Sequence, residues 1–179
     1  MPFYVIKSRT LKICLAVIIV SILLAVSIDG VSAAQVYFGY PNRKVPVYYV
    51  QTEEKRVAIS FDAAWGADKT EGIMQILKEH DCNGTFFLVG FWTDKYADIV
   101  KKIDEQGFEI GTHSNTHPDM TKLSKEAIKG ELETSIKLIT DITGKSVKFF
   151  RPPFGAYNNN LLDVADSMGL ISIQWDVDT

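Results

Sequence analysis

Apolar positions along this chain recur in two rhythms that take turns, period two over short stretches and three-to-four over longer ones. Arg56–Asp62 (RVAISFD) reads as a strand with Val57, Ile59 and Phe61 on one face. Thr85–Val89 (TFFLV) is a continuous apolar run, as in a strand of a buried parallel sheet. Phe108–Thr112, Val147–Phe150 and Leu170–Trp175 read as further strands. Val45–Val50 (VPVYYV) is predicted at a sheet edge, because Pro46 has no N–H to give a ladder. Helical periods fill the intervals. Residues 68–80 carry Ile73, Ile76 and Leu77 on one side, and His80 at the end complements the helix dipole. A helix capped by Thr93 runs to Gln106 with Ile99, Val100 and Ile103 inward, and Gly107 stops it. Ser124 caps a helix to Thr143, with Ala127, Leu132, Ile136 and Ile139 inward and Gly144 at its end. Leu161–Met168, closed by Gly169, is the last. This alternation predicts a parallel α/β sheet with right-handed crossovers, either open or part of a β/α barrel. In both, sites are built at the carboxyl ends of the strands.

The first 33 residues break the pattern. Lys7, Arg9 and Lys12 precede an uncharged run, Ile13–Ile28, and Val31 and Ala33 follow with signal-peptidase spacing. A basic start, an apolar run and small residues predict an export segment. Sixteen residues is long for a cleaved signal and short for a full span. Signal peptide and membrane anchor therefore both stand, and either places the rest of the chain outside the cytoplasm. Residues 34–50 read as a linker and first strand, and 51–179 as the functional domain. The net charge of -3 argues against a nucleic-acid partner. Residues 1–33 hold +2 of it, which leaves -5 to the remainder and no pull toward anionic lipid. The two cysteines, Cys14 and Cys82, exclude a disulfide framework or a multi-cysteine zinc site. Cys82 is expected as a small buried residue.

Three motifs fall where strands end. In Ser60-Phe61-Asp62-Ala63-Ala64-Trp65-Gly66, an acid closes an apolar strand. Asp62 can serve as general base or metal ligand there, or equally prepare a turn or cap a helix. In Gly111-Thr112-His113-Ser114-Asn115-Thr116-His117-Pro118, two of the three histidines fall four apart. One helical turn would set them on one side for a divalent metal of the zinc type, although Pro118 keeps any such turn short. The bland alternative is a pair of satisfied histidines. In Arg151-Pro152-Pro153-Phe154-Gly155-Ala156-Tyr157, two prolines stiffen a loop directly after a strand. Arg151 can orient a carboxylate from it, or be a surface residue of a structural turn.

Together these motifs resemble those of the polysaccharide deacetylases, the NodB-homology carbohydrate esterases, over roughly residues 50–179. The likeness lies in His-Ser-x-x-His, Arg-Pro-Pro-x-Gly and the preceding Phe-Asp, and the Phe-Asp-x-x-Trp-Gly form looks most like the sporulation-associated Gram-positive branch. It implies a distorted β/α barrel and a metal-dependent hydrolase that removes acetyl groups from N-acetylated polysaccharide, peptidoglycan or a chitin-like glycan. A non-catalytic glycan-binding protein on the same fold is the alternative. By the same resemblance Asp62 matches the catalytic base and His113 and His117 the metal histidines. Arg151 matches the residue orienting the base, the Phe154 N–H an oxyanion donor, and Asp178 the acid paired with Arg151. Trp65, Pro153, Tyr157 and Trp175 match the substrate-binding positions. Many members carry a second Asp as third metal ligand where this chain has Ala63, so Asp68 from the following turn is the candidate to compensate. The family's later Leu-x-His is missing, since no histidine follows His117. The resemblance therefore implies a barrel incomplete at its C-terminus.

Overall fold

The computed structural model describes residues 14–21 and 43–178. The chain divides into two units, Met1–Arg43 and Lys44–Thr179. In the first, residues 14–21 are helical. The rest of the expected export segment lies outside the described residues. Among the described residues no helix is long and apolar enough to cross a membrane.

In the second unit five strands make one sheet in chain order: β1 (Ser60–Ala63), β2 (Thr85–Leu88), β3 (Glu109–Thr112), β4 (Phe149–Phe150) and β5 (Ile171–Ser172). Every neighbouring pair is parallel, and Asp62, Phe87 and Gly111 lie in register across the first three strands. Helices α1 (Thr70–Glu79), α2 (Gly90–Lys95), α3 (Ala97–Glu105), α4 (Lys125–Thr143) and α5 (Asn159–Ser167) make the crossovers. The sheet is thus the expected β/α arrangement, left open between β1 and β5 among the described residues.

Two apolar clusters join sheet and helices. Phe86, Leu88 and Ile110 pack with Met74, Leu77, Trp92, Val100 and Ile103, while Phe150 packs with Ile128, Leu132, Leu161 and Ala165. Each fully buried side chain of this size contributes roughly 1.5–3 kcal/mol. The 19-residue α4 supplies both clusters, with Ile139 in the first and Leu132 in the second. Ser124 Oγ caps it by accepting from the Ala127 N–H, and Gly144 ends it at φ 70°.

Several local expectations are corrected. Pairing on β1 begins only at Ser60, so Val57 is exposed rather than inward. The reason is register: β2 begins at Thr85, opposite Ser60, and earlier residues have no partner. On α1 the buried line is Thr70, Met74 and Leu77, leaving Ile76 exposed. On α4 Ile128 is buried where Ala127 was expected, since the helix faces inward along Ile128, Leu132, Ser135 and Ile139. Thr93 is no cap. It lies inside α2, its hydroxyl donating to the Val89 carbonyl, and the expected single helix breaks at Tyr96 (φ -121°, ψ 40°). Cys82 is exposed, because it falls on the turn after α1 rather than in a core. The predicted edge strand at Val45–Val50 reduces to one parallel bridge from Val47 to Ile173 beyond β5, next to a buried Pro46.

Candidate active site

The carboxyl ends of β1, β3 and β4 converge on one constellation. Asp62 lies on β1, and His113 and Arg151 each follow a strand by one residue. Arg151 Nη1 donates to Asp62 Oδ1 at 2.8 Å, and Nη2 donates to Ser60 Oγ at 2.7 Å. Period two on β1 puts Ser60 and Asp62 on the same face, which is why one guanidinium reaches both. The guanidinium lies 4.0 Å over the Phe87 ring and 5.6 Å from that of Trp175. It is 4% exposed, and its Nε has no hydrogen-bond partner.

Phe87 can lie there because Gly111 faces it. A Cβ at Gly111 would sit 2.6 Å from two Phe87 ring carbons and 3.0 Å from the Phe149 carbonyl. Gly111→Ala should therefore cost about 1–3 kcal/mol through overpacking. Urea unfolding checks this, and an unchanged midpoint would mean that the ring moves aside freely.

Arg151 also acts through its backbone. Its carbonyl accepts from His113 Nδ1 at 2.7 Å. A carbonyl can only accept, so the proton sits on Nδ1 and the Nε2 lone pair is free. Nε2 lies 3.7 Å from Asp62 Oδ2. Burial holds the His113 pKa below the usual imidazole range, with the Asp62 charge partly offsetting it. His117 sets its ring 4.9 Å from that of His113, centroid to centroid. No helical turn achieves this. Ser114 and His117 take positive φ, 68° and 57°, and the chain folds back between them.

Exposed rings border the histidines. Trp65 lies 5.7 Å from Phe91 and 6.0 Å from His117, and Phe154 lies 4.6 Å from His117. Phe154 is itself at φ 59°. Trp175 is half-buried against Gly155, where a Cβ would come within 2.9 Å of its ring. Pro153 is buried. Tyr157 is half-buried beside the second cluster, its hydroxyl accepting from Tyr48 at 3.2 Å. Asp178 is exposed, and among the described residues no ion pair joins it to Arg151. Asp68 is exposed and pairs with Lys69 at 3.5 Å.

The free Nε2 of His113 and the adjacent His117 ring fit a divalent ion as a two-imidazole hold. Among the described residues no group of three His, Cys, Asp or Glu side chains is placed to hold one, so Asp68 does not complete the set. The sequence reading missed Ser60, Phe91 and Glu131, whose carboxylate accepts from the Asn115 and Thr116 N–H groups of the histidine turn. Ser60 was recoverable from its place two residues before Asp62. Phe91 and Glu131 carry no local signal.

The polysaccharide deacetylase family profile matches residues 49–173. The uncharacterized protein YlxY of Bacillus subtilis is 35% identical over 134 residues, 75% of this chain and 42% of its own. The peptidoglycan-N-acetylglucosamine deacetylase PgdA of Listeria monocytogenes is 36% identical over 136 residues, 76% of this chain and 28% of its own. Among solved structures, wild-type BA3943 from Bacillus anthracis, a CE4 family pseudoenzyme, matches with TM-score 0.73 at 34% identity, over 75% of this chain and 48% of that one. A BA3943 mutant with restored enzymatic activity matches with the same TM-score at 36% identity, over 75% of this chain and 49% of that one. The chain spans less than half the length of each of these relatives.

Proposed function

This chain belongs to the polysaccharide deacetylase family, and on that premise we propose that it removes acetyl groups from N-acetylated cell-wall polysaccharide, peptidoglycan or a chitin-like glycan, outside the cytoplasm. Its sheet is of the NodB-homology type that its motifs imply. The observation that carries the activity is the Asp62–Arg151–His113 constellation. Arg151 engages Asp62 Oδ1 and leaves Oδ2 to take a proton from water as general base. Ser60 and Phe87 hold that arginine still, so the carboxylate keeps one orientation. Phe154 is assigned to present its backbone N–H to the developing oxyanion. A divalent ion of the zinc type, held by His113 and His117, would supply Lewis acidity to the acyl oxygen and acidify a water. Trp65, Phe91 and Phe154 offer ring faces to the apolar faces of sugars, and Trp175, Tyr157 and Pro153 are assigned to the same substrate site.

Residues 1–33 are assigned as the export segment, signal or anchor. The Listeria relative's name as a peptidoglycan deacetylase supports a wall substrate.

A second reading, a glycan-binding protein without hydrolysis, is favoured by Ala63 and by the missing three-ligand group among the described residues. The experiment that separates the two measures acetate release and binding on the same N-acetylated peptidoglycan and chitin oligosaccharide, with zinc added. Release should exceed the enzyme-free control and vanish in His113→Ala, together with the bound zinc. Binding without release selects the second reading, and absence of both removes both.

A further inference from the structure

The histidine pair sits on a turn closed from within by one hydrogen bond, Ser114 Oγ accepting from the His117 N–H at 2.9 Å, and strained at both of those residues. Positive φ at Ser114 and His117 costs of order 1–3 kcal/mol each for residues other than glycine, and persists only where the surroundings enforce it. Between these two residues, the N–H groups of Asn115 and Thr116 both point at one carboxylate. Glu131 Oε2 accepts from Asn115 at 2.9 Å and from Thr116 at 2.7 Å. Its Oε1 accepts from the Thr116 hydroxyl at 2.7 Å. The turn thus gives this one carboxylate three hydrogen bonds, engaging both of its oxygens.

Glu131 is firmly based. It lies on α4 beside the fully buried Leu132, and one turn further on Ser135 Oγ accepts from the Thr112 hydroxyl at 2.7 Å, directly before His113. From the other side, the N–H groups of Gly90 and Phe91 donate to the carbonyls of Ser114 and Asn115 at 2.9 and 3.2 Å. A Cβ at Gly90 would collide with Asn115. The turn is therefore gripped between α2 and α4. On the α2 side the grip is backbone; on the α4 side it is the Glu131 side chain.

We propose that Glu131 is the positioning residue of this site. Its carboxylate holds the 114–117 turn in the conformation that sets the His113 and His117 imidazoles side by side for one divalent ion. The divalent ion rests on the functional reading above; the hold on the turn does not.

The test uses the full chain and two readouts. The first is the NMR contact between the two imidazole rings in metal-free protein. The second is cobalt(II) affinity by titration. Glu131→Ala should lose the ring contact and weaken cobalt binding by about tenfold or more. Glu131→Gln, which keeps the length and an accepting oxygen, should retain the contact and most of the affinity. Glu131→Asp keeps the charge but falls one methylene short, so it should behave like Glu131→Ala. The Asp and Gln pair also carries the comparison if the alanine variant does not fold. Glu133→Ala, exposed on the same helix and paired with Lys129, should change neither readout. Ring contact and cobalt affinity that survive in Glu131→Asp overturn the proposal. A wild-type chain that keeps the contact through Glu131 yet binds no cobalt leaves the positioning role standing and removes the ligand reading instead.

Discussion

Asp62→Ala should lower the stability of the domain by about 3 kcal/mol, at the lower end of the range for breaking a buried ion pair. Arg151 is 4% exposed, and Asp62 is its only ion-pair partner among the described residues. Removing the carboxylate strands a guanidinium whose Nε is already without a partner and whose remaining side-chain acceptor is Ser60 Oγ. The lower end applies because Asp62 is one-third exposed, so water screens part of the charge that would be lost. Asp62→Asn keeps an acceptor for Nη1 and should cost less, on the order of 1–2 kcal/mol. Both variants should lose hydrolysis, since an amide cannot take the proton. Stability and activity therefore part company in the asparagine variant. Urea unfolding beside acetate release reads both, and an alanine variant as stable as wild type would show that the guanidinium is not desolvated.

A comparably large loss, about 3–5 kcal/mol, is expected for Trp92→Ala. Trp92 is fully buried, and it is the largest side chain in the first cluster. Its Nε1–H donates to the Gly66 carbonyl at 2.7 Å, which ties α2 to the loop that carries Trp65. The truncation should therefore also weaken binding of an N-acetylated oligosaccharide. Trp92→Phe refills most of the volume, leaving a small cavity and deleting the hydrogen bond, so it should cost less, about 1–3 kcal/mol. Denaturation midpoints and oligosaccharide titration check both variants. If Trp92→Ala unfolds at the wild-type midpoint, the first cluster does not depend on this ring.

The parts of the site that could be read in advance are those that announce themselves locally. Asp62, His113 and Arg151 each stand at the end of an apolar run, and a parallel sheet brings such ends together. β2 was legible as a compact apolar run bounded by turns, and β3 as a short segment with Phe108 and Ile110 alternating after the Gly107 stop. Where pairing starts on β1 was not, because register depends on where the neighbouring strand begins. The break at Tyr96 leaves helical periodicity on both sides and so is invisible to it. The histidine turn was expected from helical spacing, but its geometry comes from two residues at positive φ that no periodicity marks. Glu131 and Phe91 meet the site only through tertiary packing, and nothing near them in sequence distinguishes them from a solvated helix face and a core position.

The bridge between Val47 and Ile173 bears on the order in which the molecule assembles. Val47 donates to the Ser172 carbonyl and accepts from Gln174, and Lys44 reaches Asp163 and Asp166 on α5, the latter 122 positions away. β1 and β2, by contrast, pair Ser60 with Thr85 across a short crossover. Contacts between distant segments wait for the loop between them to close, and they form late. During synthesis the segment around Val47 leaves the ribosome long before β5 exists, so it must stay undocked while the sheet grows from β1 toward β5. The segment around Val47 is thus made before β1 and docks only after β5. Until it docks, the outer side of β5 is an unpaired ladder, the kind of template on which a second nascent chain can misassemble.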